Sequence, residues 1–352
     1  MKLPSLKIGD LIAKFPIVQG GMGIGVSLSN LAGAVAKQGG IGVISAAQPG
    51  YREKDFAQNA LEANVRALEY EIKRAKQISD GGIIGVNIMC AGNYYEEYVR
   101  CSIESGADII FSGAGLPSEL PKLVEGSKVK IAPIVSPPKA VRTLLRLWDK
   151  RYARTADMIV VEGALAGGHL GFSKEDVERC KKEGYDKEIT EIIEIAKEFG
   201  DKYNVEIPVI FGGGVFERAD IEHYLSLGCA GVQMGTRFVA TVECDANEAF
   251  KQAYVNATAE DVVITKTPVG MPGRAIKNQL LREVEIEKQK IKACYQCLQS
   301  CDRANIPYCI TTALISAVRG ELDKALIFCG ENVSRIKEII TVEKLFAELC
   351  AE

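Results

Sequence analysis

The sequence predicts a (β/α)8 TIM barrel carrying an additional C-terminal helical region. Three observations predict it. Eight short apolar runs recur along the chain, a longer amphipathic or charged segment follows each, and nearly every run ends in small or polar residues. A chain of 352 residues holds a barrel of about 250 residues and an appendage of about 100.

The candidate strands are IVQG (17–20), GIGVIS (40–45), GIIGVNIM (82–89), ADIIFSG (107–113), KIAPIVS (130–136), DMIVVEG (157–163), PVIFGGG (208–214) and GVQMGTRF (231–238). They are continuous rather than alternating apolar runs, as parallel strands covered on both faces require. SLSNLAGAVAKQ and FAQNALEANVRALEYEIKRAKQ between them have helical periodicity. Periodicity alone leaves an open doubly wound sheet as the alternative to closure. The charged stretch at 172–206 reads as a solvated helical insertion. After about residue 240 the strand rhythm stops. Residues 245–292 read as helical, a cysteine cluster follows, and three short amphipathic helices end at Glu352. The expected division is therefore 1–243 for the barrel and 244–352 for the helical region with the cysteine cluster.

Composition narrows the function classes. Apolar residues make up 47% and charged residues 25%, and the net charge of −3 gives no long-range attraction to nucleic acid or an acidic membrane. The N-terminus lacks the apolar run of a signal peptide, and the longest apolar stretches are too short to span a bilayer. The expectation is a cytoplasmic enzyme with a small-molecule substrate, without nucleic-acid or membrane partners, and a homodimer through the C-terminal helices.

The chemistry is expected where the strands end, because barrel sites are assembled from the C-terminal ends of their strands. FGGG and QMGT fall on the last two candidate strands, where barrels of this class place a phosphate; a tight turn explains three glycines about as well, but two glycine ends on consecutive late strands favour phosphate binding. The chain has two histidines. His223 lies in a predicted outer helix and reads as structural. His169 follows the sixth strand in a glycine-rich loop, and imidazole can pass a proton near neutrality.

QGGMG, LAGAVAKQGGIGVIS, GVNIM, GAGLPS, VEGALAGGHLG, IPVIFGGGV, GVQMGTRF and GRAIKNQL, in this order over roughly residues 8–285, resemble the nitronate monooxygenase (2-nitropropane dioxygenase) family. They resemble equally its relative, the flavin-dependent enoyl-acyl-carrier-protein reductase II. The resemblance implies FMN at the barrel mouth. Met22 and Gly23 would lie along the flavin ring and Asn87 at its polar edge. Glu162 and Gly167 would be flavin contacts, and Gly213, Gly214, Gln233, Gly235 and Thr236 would hold the phosphate. His169 matches the family's active-site histidine. Leu165 stands where a glutamate is usual, which bears on substrate preference rather than flavin binding. Two reactions follow from the resemblance: oxidation of an alkyl nitronate by dioxygen to a carbonyl compound and nitrite, or NAD(P)H-dependent reduction of an enoyl thioester. The monooxygenase is preferred because the cysteine-bearing tail is foreign to the reductase pattern. Readings from other classes are a colourless phosphate-binding isomerase or lyase, and a non-catalytic flavin or iron–sulfur sensor.

Cys294, Cys297, Cys301 and Cys309 fall within sixteen residues of a chain with eleven cysteines. Their spacing suits an iron–sulfur cluster or a zinc ion; the alternative is a set of reduced thiols.

Overall fold

The computed structural model describes residues 2–351. Strands β1 (Leu6–Ile8) and β2 (Leu11–Ala13) form an antiparallel hairpin. The barrel follows as β3 (Ile17–Gln19), β4 (Ile41–Ser45), β5 (Ile83–Met89), β6 (Ile109–Gly113), β7 (Lys130–Val135) and β8 (Ile159–Glu162). After β9 (Gly168–His169), which lies outside the ring, β10 (Val209–Gly212) and β11 (Gly231–Met234) complete it. All eight ring strands are parallel, and β10 pairs with β8 on one side and β11 on the other, so the sheet is closed. Closure rules out the open-sheet alternative. Each ring strand lies inside its expected run. The last is shorter than expected: after Gly235 the chain turns into a short helix, Thr236–Val239.

Neighbouring residues of a strand feed two different cores, as the period of two demands. Val18, Ile41, Val43, Ile109, Phe111, Val160 and Ile210 share one buried cluster with Leu6, Ile8 and Ala13 of the hairpin. Ile17, Ile44, Ile84, Ile110, Ile159, Val161 and Val209 join the cluster made with the surrounding helices. The hairpin thus plugs the end where the strands begin, and Lys130 at the start of β7 pairs with Asp10 of its turn at 2.5 Å. A cavity lies at the other end.

The charged crossover holds two helices. Lys174–Glu183 is mostly exposed, whereas Asp186–Tyr203 buries Ile189, Ile192, Ile195 and Phe199 against the barrel. The helical reading of 245–292 needs correction. Helix Glu248–Asn256 leads into an antiparallel pair, β12 (Val262–Lys266) and β13 (Pro272–Ile276), before helix Gln279–Ile286. Here β-branched Val262, Val263, Ile264 and Thr265 pair across a turn at Thr267–Gly270, and β13 finds a further partner in β9.

The final helix, Val342–Cys350, packs between the helices Ser29–Lys37 and Arg218–Ser226, which flank the first and seventh ring strands. Its Phe346 ring lies 5.9 Å from Phe15 and 6.2 Å from Phe238. This helix therefore fills the eighth place in the outer ring. Residues 244–341 are an excursion over the barrel mouth between the eighth strand and the helix that covers it.

Candidate active site

The C-terminal ends of the ring strands and the excursion enclose one cavity of about 590 Å³. Every residue expected at the flavin and the reaction lines it: Met22, Gly23, Asn87, Glu162, Gly167, His169, Gly213, Gly214, Gln233, Gly235 and Thr236.

The late-strand end is built so that backbone can approach a ligand. Gly213 and Gly214 have φ of 117° and 91°, conformations L side chains rarely adopt. A Cβ on Gly213 would stand 2.8 Å from the carbonyl oxygen of Gly163. The Thr236 hydroxyl accepts the Gly330 N–H at 3.0 Å, which leaves its own proton free to donate. Asn332 Nδ2 donates to the Gly214 carbonyl at 2.6 Å, so the excursion closes this end of the cavity. Across the cavity, a Cβ on Gly23 would meet Ala47 Cβ at 2.6 Å and Ser45 Oγ at 2.7 Å. The side-chain amides of Asn87 and Gln233 line the cavity and have no hydrogen-bond partner among the described residues.

His169 is held as a strand residue although its loop is glycine-rich. β9 pairs antiparallel with β13, His169 opposite Gly273 and Gly168 opposite Arg274, and Leu170 N–H donates to the Pro272 carbonyl at 2.8 Å. The imidazole meets the Phe328 ring edge-on, centroids 4.9 Å apart. Its Nε2 is buried without a protein partner. Burial pushes its pKa down to about 4, so the ring is neutral at physiological pH.

Glu162, at the end of β8, is enclosed by protein yet open to the cavity, and desolvation pushes its carboxyl up to about 7. Between its ordinary 4.5 and about 7 the folded, ligand-free protein keeps a proton that the unfolded chain releases. The stability this group contributes is full below pH 4.5 and is lost as pH rises through 7. Urea unfolding of ligand-free Glu162→Gln should show a flatter stability profile across that window than the parent; identical profiles would mean that Glu162 titrates normally.

The four cysteines lie near one another, Cys301 feeling Cys294 and Cys309 and Cys297 feeling Cys309 and Cys301, but they do not present a metal-ligand geometry. Cys294 and Cys301 are exposed, Cys297 lines the cavity, and Cys309 starts the helix Ile310–Arg319. Among the described residues no three Cys, His, Asp or Glu side chains gather as a metal requires, so the expected iron–sulfur or zinc ligand set is not assembled. Backbone hydrogen bonding fixes this segment instead. Asn93 N–H donates to the Cys297 carbonyl at 3.2 Å, Asn93 Nδ2 to those of Gln296 (2.6 Å) and Leu298 (3.2 Å), and Gln299 N–H to that of Ala91 (3.1 Å). The result is a strap across the mouth.

A family model described as nitronate monooxygenase matches residues 5–352. The chain belongs to the nitronate monooxygenase family. It is an oxidoreductase. A probable nitronate monooxygenase of Staphylococcus saprophyticus is 24% identical over 315 residues, 81% of each chain. A (3aS,4S,5R,7aS)-5-hydroxy-7a-methyl-1-oxo-octahydro-1H-indene-4-carboxyl-CoA dehydrogenase of Mycobacterium tuberculosis is 28% identical over 271 residues, 77% of this chain and 65% of that one. Among solved structures, FabK from Thermotoga maritima is similar with a TM-score of 0.71 at 25% identity, covering 96% of this chain and 92% of that one.

In this member of the nitronate monooxygenase family, sequence reasoning passed over Arg274, Phe328 and Glu331, all contributed by the excursion. One signal was present. In PGRAI a single charged residue sits among small and apolar ones, and Arg274 is fully buried.

Proposed function

We propose that this protein is an FMN-dependent nitronate monooxygenase, oxidising alkyl nitronates with dioxygen to a carbonyl compound and nitrite. The observation that carries the reading is His169, a neutral imidazole whose buried Nε2 lacks a protein partner at the wall of a glycine-lined cavity. The residues present fit FMN. Met22 and Gly23 would flank the ring system, with the unpartnered amide of Asn87 at its polar edge and Glu162 and Gly167 beside it. Gly213, Gly214, Gln233, Gly235 and Thr236 would hold the phosphate end, where added Cβ atoms have no room at Gly213. When bound, FMN supplies the electron transfer between substrate and dioxygen.

The chain's own contribution is proton handling and enclosure. Neutral His169 donates a hydrogen bond to the anionic nitro group of a nitronate, or accepts the α-proton of a neutral nitroalkane. An anion beside the ring raises its proton affinity, offsetting the desolvation that keeps it neutral. Phe328, Leu314 and Ile310 give the cavity an apolar wall that excludes water.

That same wall favours a second reading. Together with Met271 and Leu326 it offers room for an acyl chain, and one relative is named for a carboxyl-CoA substrate. In that reading NAD(P)H supplies the electrons, and His169 hydrogen-bonds the carbonyl of an enoyl thioester.

Anaerobic addition of propyl-2-nitronate, NADH or NADPH, each alone, separates the two. The proposal expects nitronate alone to bleach the flavin's visible absorbance. Bleaching by a nicotinamide, with none by nitronate, would overturn it in favour of thioester reduction.

A further inference from the structure

We infer that Arg274 is the positioning residue for His169: its guanidinium, held against Glu331, grips the carbonyls of Ala164 and Ala166 and fixes the loop that carries the imidazole. The inference rests on His169 being the residue that meets substrate.

Residues 163–168 read Gly-Ala-Leu-Ala-Gly-Gly, so the loop has few side chains with which to pack itself into one conformation. Gly168 takes a φ of 75°, and a Cβ there would find nothing within 4 Å. The lock must come from outside the loop. Arg274 provides it twice over. Its backbone is the register partner of Gly168. Its Nη1 donates to the Ala164 carbonyl at 2.9 Å and also to that of Ala166. Its Nε lies 2.9 Å from Glu331 Oε2, and Glu331 in turn pairs with Lys181 at 2.7 Å. The Glu331 N–H donates to the Leu165 carbonyl at 3.2 Å, so a second residue of the clamp holds the same loop.

Stability alone does not account for this arrangement. Arg274 is fully buried, yet neither its Nε nor its Nη2 makes a hydrogen bond among the described residues, and its contact with Glu331 Oε2 is an ion pair without hydrogen-bond geometry. A buried ion pair with an unsatisfied donor is commonly no more stable than apolar residues of like volume. The rigid fork of a guanidinium can reach two carbonyls and a carboxylate at once, which an ammonium cannot reproduce. Burial lowers the His169 pKa, and Arg274 reaches the imidazole through the loop carbonyls it grips.

The test uses the full-length, flavin-loaded protein and the variants Arg274→Lys and Glu331→Gln. With two histidines in the chain, ring NMR signals separate His169 from His223. In Arg274→Lys the His169 titration should move up towards the ordinary 6.5 as the loop opens to water. The rate of flavin reduction by nitronate should fall about 10²-fold with KM little changed, the loss expected for a misplaced group. The double variant His169→Ala/Arg274→Lys should be no slower than His169→Ala alone. Glu331→Gln should change the same quantities in the same direction and less, and it carries the test if Arg274→Lys does not fold. An unmoved His169 titration in a folded variant, or losses that multiply in the double variant, would overturn the inference. Should nitronate fail to react with the parent while the histidine signal still shifts in the variant, the monooxygenase reading falls and the positioning role stands.

Discussion

Replacing His169 by alanine is expected to slow substrate oxidation by about 10²–10⁴-fold while FMN stays bound, the usual range for removing a positioned acid–base group. The two effects separate because they arise on different elements. His169 stands on β9, which is held by β13 of the excursion, whereas the glycine-lined end belongs to β10 and β11 of the ring. The flavin-to-protein ratio should therefore match the parent, and rapid mixing with nitronate under anaerobic conditions should show the loss in the reductive step. Unchanged turnover would remove His169 from the mechanism. The same residue sets an expectation for acid conditions. An imidazole lowered to about 4 becomes charged only near that pH, so kcat/KM should not fall at 6.5, where an ordinary histidine would titrate.

Gly213→Val is expected to give a folded but colourless protein, with FMN affinity reduced at least about 100-fold, or about 2.7 kcal/mol. A φ of 117° is strained for any residue with a Cβ and most strongly for a β-branched one. The new atom would also stand 2.8 Å from the Gly163 carbonyl oxygen, which is backbone and has little room to yield. The end of β10 must move, and with it the N–H groups proposed to face the phosphate. Titration of the ligand-free protein with FMN, followed by quenching of flavin fluorescence, measures the loss, and circular dichroism shows whether the fold persists. Affinity equal to the parent's would place the phosphate elsewhere in the cavity.

What the sequence discloses and what it conceals divide along a physical line. The eight ring strands are legible because each is a local run of apolar residues such as GIIGVNIM, buried on both faces, and the site is legible because glycines and one histidine punctuate the ends of those runs. The β12–β13 pair is not. VVITK and PGRAI are short, lie between helix-forming segments, and depend on β9, roughly a hundred residues earlier in the chain, for part of their pairing. Arg274 is hidden for the same reason: its partners Ala164, Ala166 and Glu331 are distant in sequence. The cysteine segment shows a different limit of spacing. It matches a ligand pattern, yet the conformation of the segment is set by the carbonyls of 296–298 and the loop at 91–94, which spacing does not encode.

The helix Val342–Cys350 completes the outer ring only after the long excursion, and this imposes an order on biosynthesis. All eight ring strands have been made by residue 234, but the apolar seam at Phe15 and Phe238 stays uncovered until Phe346 has been made, more than a hundred residues later. A nascent chain in that interval resembles a folding intermediate with exposed apolar surface, the kind of species that chaperones bind and that aggregates when they are scarce. The interval also ties two events together, because the segment that anchors the histidine loop is always synthesised before the helix that seals the barrel. Any chain sealed in this way already contains the parts that its reaction centre needs.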